Sequence, residues 1–407
     1  MTDGSTTQVV STRPRTWFFV AYAVNTLGAG MVYPLNALYM REGLGAPLAA
    51  VSGFFAASAV ASIVINPFAS RIGARWGPVR ALQVAILFQL CGATMLAVAP
   101  AYWWAYGAAV FIGIGNGLFF ASQTPMLVRL FGKETLGKIY ARQSQIMNGS
   151  AALAAVGAGV LVEVFAVVGY RLAYLGNAAS FIVYGLIVFG YVVRAVPRPE
   201  SAAPTPPRAK RALWPLRDRA FRRLLVTWLL MVTFGFAQIE AVVPIALREQ
   251  GAYSVIVVTG MLAVNGVAAV VLQPALERRV ERWGRMPALR LASVSWIVTF
   301  GLGYAAVALG GVVGVACIVA MAVTFAVGEC LVAPSFQPQV ASVAPEGQLG
   351  VYAALVSLVF IVSLVLGPAV TTPLIAGPPW LYWSVAAVGV ALLLPVLSKA
   401  VREQRHV

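Results

Sequence analysis

Residues 66–82 read NPFASRIGARWGPVRAL, and residues 273–289 read QPALERRVERWGRMPAL. Aligned without a gap at an offset of 207, they share Pro67 with Pro274, Arg71 with Arg278, Arg75-Trp76-Gly77 with Arg282-Trp283-Gly284, and Ala81-Leu82 with Ala288-Leu289. A second correspondence follows at an offset of 213. There Gly115 and Asn116 match Gly328 and Glu329, Pro125 matches Pro338, and Gly137 matches Gly350. Self-similarity near half the chain length marks one duplicated unit, so the chain reads as two copies in parallel orientation.

Each basic copy lies between apolar blocks. These run at approximately residues 16–40, 48–70, 78–99, 102–130, 139–167 and 171–194, then 223–247, 253–275, 287–309, 311–335, 349–376 and 379–400. Each is about the twenty residues a helix needs to cross a bilayer's hydrocarbon. Lipid offers the backbone no hydrogen-bond partner, so each block must satisfy itself as a helix. Of the 407 residues, 60% are hydrophobic and 10% charged, against about 25% charged in a soluble domain. The fold class is therefore an all-α membrane protein, with twelve transmembrane helices in two pseudo-symmetric six-helix bundles.

Charge fixes the orientation. If successive loops alternate sides, all of the 29 Lys and Arg except Arg41, Arg171 and Arg248 fall on one side, and the positive-inside rule makes that side cytoplasmic. The expected organisation is a cytoplasmic N-terminal tail over 1–15, an N-terminal bundle over 16–196, a Pro-rich cytoplasmic linker over 197–222, a C-terminal bundle over 223–400 and a cytoplasmic tail over 401–407. The first apolar stretch reads as a span, not a signal peptide. Abundant Arg, Ala, Val and Gly point to a bacterial cytoplasmic (inner) membrane. The net charge of +16 sits in short loops and marks no nucleic-acid face.

Several function classes are excluded. Cys91, Cys317 and Cys330 are far apart in sequence, and the one histidine, His406, is penultimate. No metal-ligand spacing, disulfide framework or Ser-His or Cys-His pair can be drawn from them. No phosphate-binding loop is present. The chain is read as a transporter and not an enzyme, with no cofactor and no metal.

These features resemble the major facilitator superfamily, and within it the multidrug efflux branches that exchange drug for proton. In the family pattern Gly-x-x-x-Asp-Arg-x-Gly-Arg-Arg, Asn66 takes the first Gly, Ser70 the Asp and Ala74 an Arg, while Arg71, Gly73 and Arg75 are kept. The second copy keeps Glu277 and Arg278. GYRLAYLGNAASF at 169–181, GECLVAPSF at 328–336, APEGQLGVY at 344–352 and Leu366-Gly367-Pro368 are similar to segments of those exporters. Ala109 stands where exporters often carry an arginine in helix 4, and helix 5 keeps Gly149, Gly157 and Gly159 without the family's following Pro. The resemblance implies a cavity lined by helices 1, 4, 7 and 10, a latch in the loop between helices 2 and 3, and action as a monomer. Gating or interbundle candidates are Ser70, Arg71, Arg75, Arg142, Asn148, Glu277, Arg278 and Arg282.

Charge at mid-bilayer is costly, so intramembrane acids are functional suspects. Glu240 in helix 7 and Glu329 in helix 10 are the proton-coupling candidates. Glu329 reads equally as a gating ion pair with Arg129 or Arg142, and Glu163, near the outer end of helix 5, reads as structural. Candidate cavity residues are Asn25 and Asn36 in helix 1, Asn116, Phe119, Phe120 and Gln123 in helix 4, Phe234, Phe236 and Gln238 in helix 7, and Asn265 in helix 8. The expectation is a proton-coupled exporter of a small amphipathic or hydrophobic compound, such as a drug, antibiotic or natural product, working by alternating access. The alternatives are a symporter or uniporter for a small nutrient.

Overall fold

The structure, a computed structural model, describes residues 12–132, 135–194, 214–345 and 349–394. Among them eleven helices are long and apolar enough to cross a membrane, and a twelfth is apolar but shorter. The N-terminal half carries α1 (Arg13–Gly43), α2 (Leu48–Asn66), α3 (Arg75–Ala97), α4 (Tyr102–Phe131), α5 (Leu136–Phe165) and α6 (Val167–Val192). The C-terminal half carries α7 (Arg219–Gly251), α8 (Val255–Trp283), α9 (Arg285–Leu309), α10 (Gly311–Val343), α11 (Leu349–Thr371) and α12 (Pro379–Ala391). The twelve-helix reading holds.

The repeat that identified the duplication also shapes it. Gly77, two residues into α3, kinks the helical run from α2 at φ 82°, ψ 157°. Gly284 does the same between α8 and α9 at φ 84°, ψ 160°. That region of backbone space is open essentially to glycine alone. Trp76 and Trp283, one residue earlier, are exposed to 47% and 46%. They stand at equivalent turns as paired aromatic anchors of the kind found at membrane interfaces.

Helix α7 begins at Arg219, four residues before the apolar block. Asp218 caps it, its carboxylate accepting from the Ala220 and Phe221 N–H groups. A capped polar first turn carries no hydropathy signal, so hydropathy places the boundary, at 222/223, too late. Most of the linker, 195–213, lies outside the described residues, as do residues 1–11 and 395–407.

The halves meet through α2 against α11 and α5 against α8, and Ser52 Oγ donates to the Pro368 carbonyl at 3.0 Å. One buried apolar cluster runs across both halves where α1 and α7 end, joining Leu35, Leu38 and Tyr39 to Val243 and Leu247. At the opposite face, which carries the turns at Gly77 and Gly284, the N-terminal half has a separate cluster of its own. Phe18, Phe19, Leu127, Phe131 and Tyr184 belong to it. The two halves are thus fused at one face and form distinct cores at the other.

A β-carbon built on Gly77 meets nothing within 4 Å, and at Gly284 it comes no nearer than 3.9 Å to Pro287. Substitution there strains only the backbone. Gly284→Ala is expected to cost about 1–3 kcal/mol, read as a lowered thermal unfolding midpoint of the purified protein. Gly260→Ala, inside α8 with open space around it, should be neutral or slightly stabilising.

Candidate functional site

Helices α1 and α7 both break their regular winding at the same point of the repeat. In α1 a 3₁₀ turn spans Tyr33–Leu35 around Pro34, whose ring cannot continue an α-helical ladder. In α7 two π-helical turns, Val232–Phe236 and Gln238–Val242, precede Pro244. Such interruptions recur at functional sites. Tyr33 and Glu240 stand 207 positions apart, the offset of the repeat, and the turns that carry them touch.

Both side chains open onto space: Tyr33 is 51% exposed, and Glu240 is exposed as well. The turns that carry them meet across the two halves, so the space they open onto is the cavity between those halves. The Tyr33 hydroxyl lies within electrostatic reach of the Glu240 carboxylate. Glu240 is also within reach of Glu329 on α10. Asn265 of α8 donates from Nδ2 to Glu329 Oε2 at 3.1 Å and sits 3.4 Å from the Ala322 carbonyl. Neither Glu240 nor Glu329 has an ion-pair partner among the described residues. The arrangement therefore favours entry of a positive charge, carried by a proton or by a bound cation.

The cavity is closed at the face where α1 and α7 end. Arg41 Nε donates to Glu249 Oε1, with Nη2 3.4 Å from Oε2. Arg248 Nε donates to Glu42 Oε1. Each arginine also holds the carbonyl five residues ahead in its own half, Arg41 to Ala46 at 3.1 Å and Arg248 to Tyr253 at 2.7 Å. The backbone bonds Ala46 N–H to Met40 and Tyr253 N–H to Leu247 repeat the relation. Every partner has its equivalent 207 residues on, so the closure is one device built twice. The charge pattern of the sequence marks Arg41 and Arg248 only as exceptions to the positive-inside rule and does not single out Glu42 and Glu249. Extending the 207 offset to the Arg-Glu dipeptides would have found them. Glu42 is further fixed by the Tyr170 hydroxyl at 3.0 Å.

Other candidates fall elsewhere. Gln238 is fully buried: it donates to the Thr233 carbonyl at 2.7 Å and accepts from Thr371 and Tyr382. It bonds within the C-terminal half and does not line the cavity. Phe236 packs among Trp228, Trp296 and Phe325. Phe234 sits against Gly389 of α12 over a shallow apolar groove. Phe119 is buried beside Tyr184. These four pack within their own halves, and Phe120 is 68% exposed.

The polar side chains of the N-terminal half are largely committed there. Asn36 accepts from the Tyr174 hydroxyl at 2.7 Å, and Asn116 from Gln89 Nε2 at 2.7 Å. Gln123 and Asn25 are half-buried, and Asn25 Oδ1 is without a partner among the described residues.

Arg142 places its guanidinium 4.4 Å from the centre of the Phe19 ring, within its own half. It forms no ion pair with Glu329 among the described residues. Asn148 lies where α5 crosses α8, its carbonyl 3.0 Å from where a Gly266 β-carbon would stand. Glu277 accepts from Gln273 one turn earlier at 2.7 Å, a bond inside α8 that spans no interface. Arg75, Arg278, Arg282 and Glu163 are exposed. The side chains of Ser70, Arg71 and Arg129 lie outside the described residues.

Comparison with known proteins bears on the whole arrangement. The sequence profile described as Major Facilitator Superfamily matches residues 18–327. A POT family transporter in complex with a thioalcohol conjugated peptide superposes with a TM-score of 0.76 at 14% identity, covering 96% of each chain. A bacterial homologue of the iron transporter ferroportin, in an inward-facing state, gives 0.75 at 16% identity, covering 95% of this chain and 98% of that one. The nucleoside transporter NupG gives 0.69 at 10% identity, with 95% of this chain and 98% of that one covered. At these identities the likeness establishes the fold. Curated protein sequences give no match.

The paired bridges generate a test. Half-exposed ion pairs contribute about 0.2–1 kcal/mol each. Removing both is therefore expected to raise the open population at that face about 2- to 30-fold. The measurement is the rate at which Tyr33→Cys, in a background lacking the native cysteines, reacts with a membrane-impermeant maleimide added from that face. Arg41→Ala with Arg248→Ala should accelerate it, and 1 M salt should act in the same direction. An unchanged rate would mean the bridges do not hold the face shut.

Proposed function

The chain belongs to the major facilitator superfamily, as a multi-pass secondary transporter of a small molecule, and from that premise we propose that it is a proton-coupled exporter of small amphipathic compounds. The observation that carries this reading is the pair Glu240 and Glu329. Both are acids in the interior cavity, within electrostatic reach of each other and without a cationic partner among the described residues. A carboxylate inside a membrane protein that has no counter-ion is suited to carry a proton as its access to water alternates.

Alternating access supplies that change. The face closed by Arg41–Glu249 and Arg248–Glu42 is the external one in this reading, because nearly all other basic residues fall on the opposite side. Substrate enters from the cytoplasm between the two separate cores, with both chain termini on that side. Rocking of the halves then breaks the bridges, opens the cavity outward, and lets an external proton take the place the substrate leaves. Glu240 is the primary coupling group because it faces the cavity without a hydrogen-bond partner among the described residues. Glu329, held by Asn265, is the second. The outward direction rests on the likeness of residues 169–181, 328–336 and 344–352 to drug exporters, and action as a monomer on the family resemblance.

The test is uptake of an amphipathic dye into inside-out membrane vesicles with an imposed acid interior. Gradient-dependent accumulation is expected for the native chain. Glu240→Gln should lower it at least about tenfold. Glu329→Gln should weaken it less, and Asn265→Ala should shift the pH dependence. Accumulation that ignores the gradient and is unchanged in both carboxamide variants would reject proton coupling.

A further inference from the structure

Duplication places the same residue pattern on both walls of the cavity, so the positions where the copies differ are the informative ones. Tyr33 on α1 occupies the position of Glu240 on α7, at the offset of 207. Asn116 on α4 occupies that of Glu329 on α10, at the offset of 213. In both pairs the acid belongs to the C-terminal half and a neutral polar group to the N-terminal half. The Asn116 carbonyl oxygen is already engaged by Gln89. One wall of the cavity is therefore anionic. The facing wall offers a half-exposed aromatic ring with a hydroxyl, set on a broken turn that touches the turn of Glu240.

We propose that Tyr33 and Glu240 together form a binding site for an organic monocation, with the carboxylate of Glu240 on one side and the ring of Tyr33 on the other. This deepens the exporter reading and rests on the cavity being the transport path. Other ligand charges fit less well. An anion would meet two carboxylates with no Lys or Arg paired to either among the described residues. A hard inorganic cation needs a cage of about six or more oxygens, and an aromatic face cannot supply it. A substituted ammonium is weakly hydrated, accepts an aromatic face as a partner, and gains most from a carboxylate in a poorly screened site. Glu329 is held by Asn265, which leaves Glu240 as the carboxylate that meets the cation. The arrangement also orders the transport cycle: the cation neutralises Glu240 while bound and leaves it bare on departure.

The experiment is equilibrium binding to the purified full chain at one fixed pH without a membrane gradient, using two probes of the same shape. One is (biphenyl-4-yl)trimethylammonium; the other is 4-tert-butylbiphenyl, with carbon in place of the charged nitrogen. The native chain is expected to bind the ammonium at least about tenfold more tightly, the scale of one well-placed carboxylate. Glu240→Gln should erase that difference. Tyr33→Phe should keep it, and Tyr33→Leu should weaken ammonium binding about 3- to 10-fold while leaving the hydrocarbon probe unchanged. Phe234→Leu, over the groove beside α12, serves as the control and should bind both probes as the native chain does. Equal binding of the two probes by the native chain overturns the proposal, with no variant needed. So does an ammonium preference that survives in Glu240→Gln. Because no gradient is present, cation binding here with no proton-driven accumulation in vesicles would reject only the coupling. Gradient-driven export with equal probe binding would reject only this site.

Discussion

A backbone N–H or C=O left open to hydrocarbon costs several kcal/mol, so a membrane helix can break its winding only where something other than lipid faces it. Helices α1 and α7 break at Tyr33–Leu35 and across Val232–Val242, and the breaks lie against each other. That single constraint positions the rest. The irregular turns, tightened in α1 and widened in α7, present Tyr33 and Glu240 to the cavity. Eight residues further, about 12 Å at the helical rise, the same two helices end in the Arg-Glu dipeptides that close the face. Site and gate are carried on the same pair of broken rods, so a tilt of either half moves both together.

The two copies have stayed alike and diverged in different places, for physical reasons. Gly77 and Gly284 are alike because the turn they make admits little else. Arg41-Glu42 and Arg248-Glu249 are alike because each half must supply both a donor and an acceptor for the bridges to cross reciprocally. In the cavity the need is opposite: a ligand without twofold symmetry is bound better by unlike walls. There Tyr33 faces Glu240, and Asn116 corresponds to Glu329.

Hydropathy and the repeat made the architecture legible, because helix length, loop charge and turn glycines are written locally. The two acids were legible for a similar reason, since a carboxylate inside an apolar block stands out whatever surrounds it. The orientation of α7 was not. A π turn holds an extra residue, and each one rotates everything beyond it by roughly a hundred degrees relative to a regular helix. The first, Val232–Phe236, lies ahead of Gln238, which bonds Thr371 and Tyr382, and Glu240 lies within the second. Phe236, the last residue of the first turn, packs among Trp228, Trp296 and Phe325. The partners of Asn36 and Asn116, Tyr174 and Gln89, come from other helices and so carry no local signal, since polar groups in lipid take the nearest donor. The bridges stayed hidden because charges at a loop are ordinarily solvated, and only tertiary structure pairs Arg41 with Glu249.

The modest strength of those bridges is itself part of the mechanism. Their side chains retain 27% to 36% exposure, so each pair contributes little beyond its geometry. A fully buried pair would incur a desolvation cost of several kcal/mol per ion, and breaking it would strand charges in a low dielectric. A transporter closed that way would be trapped in one state. In the proposed cycle, weak, paired and reciprocal bridges bias the closed face by an amount that one proton or one bound cation in the cavity offsets. This is the condition under which a charge arriving at Glu240 can decide which face of the molecule is open.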